Sequence, residues 1–313
     1  MNSDKPLVSV FMITYNHEKY IAQAIESALM QKTDFNYEIV IGEDCSTDRT
    51  REIVVDYANR YPEIIKPILH ENNVGAKANS ESVRKACIGK YVAILEGDDY
   101  WIDPLKLQKQ VDFLESHPHF SVCFTRAVDV DEEGNCLKKT SPSLFFKGVT
   151  STRDILKMNF ITTATCMYSH RANTEIPEFA KRFWAGDWVL HIFNSLGGKI
   201  GFIREVTSAR RITSHGMSST THYLEKVLGK SGLIELLTAL DSFFNHKYSR
   251  QIRSRVSYEY ASLALYFAKR GNFRESTRNI KKSFKESFFN IPFCVPRLRI
   301  CLGVLLNCCR NKR

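Results

Sequence analysis

Residues 91–104 read YVAILEGDDYWIDP, and the two halves of this stretch decide the fold. The first half is an apolar run rich in β-forming residues, the composition of a strand buried on both faces of a parallel sheet. The second half crowds Glu96, Asp98 and Asp99 into four residues directly after that run. Upstream the same order recurs. LVSVFMI (7–13) breaks into Thr14-Tyr15-Asn16-His17, and YEIVIG (37–42) breaks into Glu43-Asp44-Cys45-Ser46-Thr47-Asp48. A third short strand is expected over 64–69, ahead of Asn72-Asn73-Val74-Gly75. Between the first two strands, Ile21, Ala24, Ile25, Ala28 and Leu29 fall at the spacing of one helix face. Residues 50–60 read as helix, as does the run from Gly75 to about residue 86. Strand, polar loop and helix alternating in this rhythm predict an α/β fold with a doubly wound, mostly parallel sheet. Such sheets bind ligands at the carboxyl ends of their strands, and each polar cluster falls at such an end.

After about residue 118 the pattern changes. Strands are expected over 120–125, 161–169 and 199–205, an acidic turn over 129–135, and helices over 150–158 and 188–196. These elements would complete the sheet and wall the second side of a cleft. Beyond residue 222 the chain reads as helices, with 261–284 forming two joined at Gly271-Asn272.

Charge is distributed unevenly. The chain carries +10 overall, but residues 223–313 hold 18 Lys+Arg against 6 Asp+Glu, a balance of +12, which leaves −2 for residues 1–222. A near-neutral body with a basic tail points to one anionic partner surface. Residues 291–313 (IPFCVPRLRICLGVLLNCCRNKR) are apolar over about ten residues and flanked by arginines. That is too short to span a bilayer but suits either an anionic membrane interface or a packed last helix. Nucleic acid is not expected as a partner, because the carboxylate clusters promise an acidic cleft rather than basic and aromatic residues interleaved on a surface. The nine cysteines form no metal-spaced CxxC pair, the start of the chain shows no signal peptide, and no run reaches the length of a spanning helix. Reduced, mostly buried thiols and a cytoplasmic location, with peripheral attachment to the membrane, are the expectation.

The chemistry lies in the carboxylates. Three within four residues repel one another and raise one another's pKa, and a hard divalent cation, Mn²⁺ or Mg²⁺, relieves this while bridging to phosphate oxygens. Asp44 ends the second strand, where a carboxylate receives a ribose hydroxyl or a base imide N–H; the competing reading is a helix N-cap, for which Ser46, Thr47 and Asp48 are better placed. The absence of GxGxxG and GxxxxGK[ST] argues against a nicotinamide dehydrogenase and a P-loop kinase.

Taken together, VSVFMITYN, EIVIGEDCSTDRT, the Asn73-Val74-Gly75 turn and YVAILEGDDYWIDPLKLQKQ resemble, in order and spacing, the motifs of glycosyltransferase family 2. The resemblance implies a GT-A-type fold with a C-terminal helical appendage. It divides the chain into a nucleotide-sugar-binding half (1–118), an acceptor-binding half (119–222) and a basic helical region (223–313). It implies that Thr14 and Asp44 hold the uridine of a nucleotide-sugar donor, and that Asp98 and Asp99 engage the metal and the diphosphate. Lys77 would touch base or phosphate, an exposed helical lysine being the alternative. Asp187 would be the base for an acceptor hydroxyl, while Arg211 and His215 would close a loop over the diphosphate. The sequence departs from the family pattern at Glu43, Cys45 and Glu96, where Asp, Gly and Asp are usual, and at Gly186, which replaces a Glu beside Asp187. Neither the Gln-x-x-Arg-Trp motif nor the membrane spans of the family's processive synthases occur, so transfer of one sugar at a time is expected. The resemblance further implies a single displacement with inversion, to a glycan or lipid-linked glycan. The rival readings are a metal-dependent nucleotidyltransferase, which would normally carry a Gly/Arg/Lys-rich loop after the first strand, and a nucleic-acid-binding protein using the basic tail.

Overall fold

The computed structural model describes residues 5–142, 148–170, 176–183, 186–213 and 232–287. It divides into two compact units: residues 1–152, 160–176 and 186–219 in the first, and 153–159, 177–185 and 220–313 in the second.

The first unit is built on one ten-stranded sheet. Its strands are β1 (Val8–Thr14), β2 (Tyr37–Glu43), β3 (Ile65–Leu69), β4 (Tyr91–Ile94), β5 (Tyr100–Trp101), β6 (Phe120–Val130), β7 (Cys136–Ser141), β8 (Val149–Thr150), β9 (Cys166–Ser169) and β10 (Lys199–Arg211). The order is β3-β2-β1-β4-β9-β6-β10-β5, with β7 on β6 and β8 on β10. The β3-β2-β1-β4 block is parallel throughout, while β9 enters antiparallel between β4 and β6. Helices α1 (Ile21–Leu29), α2 (Thr50–Arg60) and α3 (Gly75–Ala86) follow strands of this block, and α4 (Lys106–Ser116) follows β5 at the opposite edge. Val10, Met12, Ile39, Ile41 and Ala93 on the strands cluster with Ile21, Ala24, Ile25 and Ala28 of α1, all fully buried. The alternating α/β fold expected from the sequence is the one observed, with the carboxyl ends of β1, β2 and β4 on one edge.

Several boundaries differ, each for a reason. β6 runs on to Val130, taking in the first part of the acidic turn expected over 129–135, because Asp129 is paired across the sheet with Arg210. What remains of the turn is 131–135, where Asp131 Oδ1 accepts from Asn135 N at 2.7 Å. β10 extends to Arg211 as the parallel partner of β6. The helix expected over 150–158 shortens to α5 (Thr152–Ile155). The strand expected from 161 begins only at Cys166, because residues 163–165 coil into a 3₁₀ turn closed by Thr165 Oγ1 on Thr162 O. Helix α4, which buries Leu107, Val111 and Leu114 along one face, adds an element beyond those expected from the sequence.

Among the described residues of the second unit are α6 (Glu178–Lys181), α8 (Leu233–Phe243), α9 (Ser249–Lys269) and α10 (Phe273–Glu286); α7 (Gly186–Asn194) belongs to the first unit. As expected from the sequence, α9 and α10 form a hairpin at Gly271, whose φ of +77° is a conformation that favours glycine. Asn272 caps α10 by accepting from Glu275 N. Small residues let the two helices approach: Ser276 Oγ donates to Ala264 O at 2.8 Å, and Ser257 and Ser283 each donate to the other's carbonyl. No described helix is long and apolar enough to cross a membrane.

Candidate active site

The polar ends of β1 and β2 are strapped to one another. Asn16, at φ +53°, accepts from Thr47 N through Oδ1 and donates its own N–H to Ser46 Oγ. His17 N donates to Thr50 Oγ1, and Glu18 N donates to Asp48 Oδ2. Glu43, fully buried, accepts from Ser46 N at 2.7 Å and pairs with Arg51, which also reaches His70 O. The carboxylate the family pattern renders as Asp thus organises the turn itself. Cys45 stands where that pattern has Gly, and its φ of +56° is the left-handed conformation that explains the glycine preference.

Asp44 is buried. Its N–H donates to Thr14 O at 3.1 Å and its Oδ1 accepts from Val74 N at 2.7 Å, so the ends of β1, β2 and the turn into α3 meet at one residue. Lys77 is exposed in the first turn of α3. No side-chain cap is made at Arg49, the N-cap of α2, although Asp48 Oδ1 accepts from Thr50 N.

The loop after β4 lies against this arrangement. Gly97 N donates to Ile13 O at 3.0 Å, and a β-carbon at Gly97 would lie 2.8 Å from Thr14 Oγ1 and 3.0 Å from His17 Nδ1. Both of those side-chain atoms are buried without a hydrogen-bond partner. Orphaned polar groups of this kind are costly in a folded interior unless a ligand or water completes them. Burial pulls the His17 pKa down, against the opposing charges of Asp98 and Asp48.

Glu96 and Asp99 are both held well above the ordinary carboxylate range. Burial is the main cause for each, and the charge of Asp98 adds to it. The charges of Asp99 and Asp187 push Glu96 further, which places Asp187, in the first turn of α7, within electrostatic reach of the β4 loop. Arg210 opposes the rise at both carboxyls while forming a two-pronged pair with Asp129, at 3.0 Å on each prong. Neither Arg210 nor Asp129 nor His17 was singled out from the sequence; none falls in a recognised motif, and the first two become neighbours only through the pairing of β6 with β10.

Asp99 ties the loop down: its Oδ1 accepts from Arg211 N at 2.8 Å. The resemblance puts Arg211 over a diphosphate. In the structure its side chain donates to Asp98 O, Asp131 O, Glu132 O and Gln23 Oε1, and it stacks over the ring of Tyr20 at 4.5 Å. His215 and residues 291–313 lie outside the described residues.

Among the described residues no three His, Cys, Asp or Glu side chains are gathered to hold an ion unaided. The carboxylates nonetheless fit a hard cation whose remaining ligands come from a diphosphate: they are oxygen donors, mutually repelling, and half-buried at Glu96 and Asp98. Thr14, Asp44 and the loop carrying Asp98 and Asp99 adjoin at the ends of β1, β2 and β4.

Comparison with known proteins bears on the fold and the family. An uncharacterized protein of Mycobacterium tuberculosis is 38% identical over 210 residues, which cover 67% of this chain and 60% of that protein. The chain therefore spans less than two thirds of the length of this relative. Among solved structures, S. aureus TarS 1–349 in complex with UDP has a TM-score of 0.56 at 20% identity, covering 89% of this chain and 90% of that one. The mannosyltransferase PcManGT from Pyrobaculum calidifontis, in complex with GDP-Man and Mn²⁺, has a TM-score of 0.55 at 14% identity, covering 97% and 87%. At these identities the likeness establishes the fold, a GT-A-type sheet with helices after it. The sequence match reaches further: the family model described as glycosyl transferase family 2 covers residues 9–176, more than half of the chain, and the chain belongs to that family.

Proposed function

We propose that this protein is an inverting glycosyltransferase that moves one sugar from a nucleoside-diphosphate donor, a UDP-sugar, to a glycan or lipid-linked glycan, as in cell-surface polysaccharide biosynthesis. The observation that carries the reading is the crowding of Glu96, Asp98 and Asp99, the pKa values of Glu96 and Asp99 pushed up by burial and by the charge of Asp98, beside the unpartnered Thr14 Oγ1 and His17 Nδ1. Family membership supports it, as do the UDP seen with TarS and the GDP-Man and Mn²⁺ seen with PcManGT.

On this reading Thr14 and Asp44 bind the uridine, Asp44 through the carboxylate oxygen that Val74 N leaves open. Lys77 reaches the base or phosphate from the solvent side. Asp98 and Asp99 hold the metal and the diphosphate, with Glu96 completing the negative field. A bound Mn²⁺ or Mg²⁺ supplies Lewis-acid stabilisation of the charge that develops on the leaving diphosphate. Asp187 accepts the proton of the acceptor hydroxyl, whose oxygen attacks the anomeric carbon from the face opposite the diphosphate. As the new C–O bond forms, the bond to the diphosphate oxygen breaks, and the anomeric configuration inverts. Arg211, at the end of β10, leads into the loop that closes over the diphosphate and is positioned by its contacts to Asp98 O, Asp131 O, Glu132 O and Gln23 Oε1. His215 remains in the expectation as a residue of the closing loop.

The enzyme works on this reading in the cytoplasm, attached peripherally to the inner face of the membrane, where donor and lipid-linked acceptor meet. The test is donor turnover by purified protein over a panel of nucleotide sugars. Release of UDP from a UDP-sugar with Mn²⁺, abolished by chelator and restored by Mn²⁺ or Mg²⁺, is expected. Full activity in excess chelator, or release of pyrophosphate instead of a nucleoside diphosphate, would overturn it.

A further inference from the structure

Helix α10 carries a charge pattern that the sugar-transfer site does not use. Arg274, Arg278, Lys281 and Lys285 recur at intervals of four, three and four residues, and all four are exposed. At 3.6 residues per turn they fall within about 60° of one another, a stripe roughly 16 Å long. Lys282, also exposed, flanks the stripe over the ring of Tyr260 at 5.2 Å. The opposite side of the helix is fixed by Ser276, Asn279 and Ser283, which are buried against α9. The stripe therefore faces away from the hairpin.

The two acidic residues of α10 lie at the border of the stripe, Glu275 against its Arg278 at 3.4 Å and Glu286 against Arg253 of α9 at 3.6 Å. Both are half-buried. Lys269 and Arg270, both exposed, extend the cationic surface around the hairpin turn. Following α10 in sequence, residues 287–313 contain five Arg+Lys and no Asp or Glu, with a run of apolar residues among them.

We infer that the exposed stripe of α10 is a docking surface for an anionic phospholipid bilayer. Charge complementarity selects an anionic plane, since a flat row of cations on one helix face can lie against headgroups along its whole length. The acid-free sequence that follows carries a run of about ten apolar residues, which a bilayer interface accepts along its whole length, and this favours a bilayer over a nucleic acid. The inference deepens the peripheral attachment proposed above and rests on that part of the reading alone; it assigns the contact to a helix of the hairpin and not solely to the terminal segment.

The experiment is co-flotation of the full-length chain with phosphatidylcholine vesicles containing or lacking phosphatidylserine, at low and high salt. Four substitutions together, Arg274→Gln, Arg278→Gln, Lys281→Gln and Lys285→Gln, keep good helix formers on an exposed face, so the hairpin stays folded. A second variant lacks residues 291–313. The expected result is binding only to phosphatidylserine vesicles, abolished by salt, and weakened on the order of several hundred-fold in the four-Gln variant. Unchanged partitioning of the four-Gln variant overturns the inference, as does loss of binding on terminal deletion alone, or retention by an RNA duplex with no vesicle binding. UDP release from a nucleotide sugar, measured on the same samples, keeps the two readings apart. Normal turnover with failed flotation removes only the docking surface, whereas absent turnover removes the transferase reading.

Discussion

Glu38 and Glu96 lie at opposite ends of one parallel sheet, and their surroundings differ in kind. Glu38, at the amino end of β2, is buried, and its Oε1 receives Ser9 Oγ at 2.5 Å and Ile88 N at 3.1 Å. Ser9 Oγ in turn accepts from Gly89 N, so β1, β2 and the entry to β4 are locked together. Glu96, at the carboxyl end of β4, feels the charges of Asp98, Asp99 and Asp187, all of which oppose its ionisation, against the pull of Arg210. A buried carboxylate surrounded by donors holds a fold together. Carboxylates crowded against one another raise one another's pKa, and a cation at the site relieves that repulsion. The same sheet contains both solutions, and the polarity of its strands decides which end carries which.

That contrast breaks most visibly at Asp187. Asp187→Asn should retain UDP binding and lose roughly 10²–10⁴-fold in turnover, the usual range for a positioned general base. Isothermal titration and initial rates on the same preparation check both halves. Turnover within a few-fold of the parent would make Asp187 structural and require another base.

Stability measurements sharpen the comparison itself. Glu38→Ala strands the donors of Ser9 and Ile88 and should cost about 1–3 kcal/mol, with activity per folded molecule unchanged. Glu96→Gln removes a repelled charge, so in chelator it should leave the urea midpoint unchanged or raise it. Equal destabilisation by the two substitutions would erase the distinction between the ends of the sheet.

A smaller, pH-dependent effect is expected at His191, four residues after Asp187 on α7. His191 is fully buried, with Nδ1 3.7 Å from Cys166 Sγ and no partner at Nε2. Burial lowers its pKa to about 4, against the pull of Asp187. Because the unfolded chain binds the proton more readily, stability is full above the ordinary histidine range and falls as pH drops from about 6.5 toward 4. The slope from this group is at most about 1.4 kcal/mol per pH unit, and His191→Gln should flatten it in urea midpoints taken between pH 7 and 5. An unaltered slope would assign acid sensitivity to other groups.

What could be read without coordinates follows physical lines. β1, β2 and β4 were legible because strands buried on both faces become unbroken apolar runs, and α1 because its apolar positions are periodic. β5, two residues long, was not, since it exists only through pairing with Ser208 and Ala209 of β10. Asp129 read as part of a turn because a carboxylate inside a strand has no local signature; its partner Arg210 is 81 residues away. Local motifs named Asp98, Asp99 and Arg211, but not which of their atoms the fold would consume. The backbone N–H of Arg211 on Asp99, and its guanidinium on four oxygens, emerge only from the sheet.

The central claim, that the carboxyl edge of the sheet binds a nucleoside diphosphate together with a divalent cation through Asp98, is tested by calorimetric titration of UDP into the full-length chain. The account predicts binding that strengthens at least tenfold when Mn²⁺ replaces chelator, and loss of that gain in Asp98→Asn with the thermal midpoint preserved. Equal UDP affinity in Mn²⁺ and in chelator, or a full Mn²⁺ effect in Asp98→Asn, would contradict it.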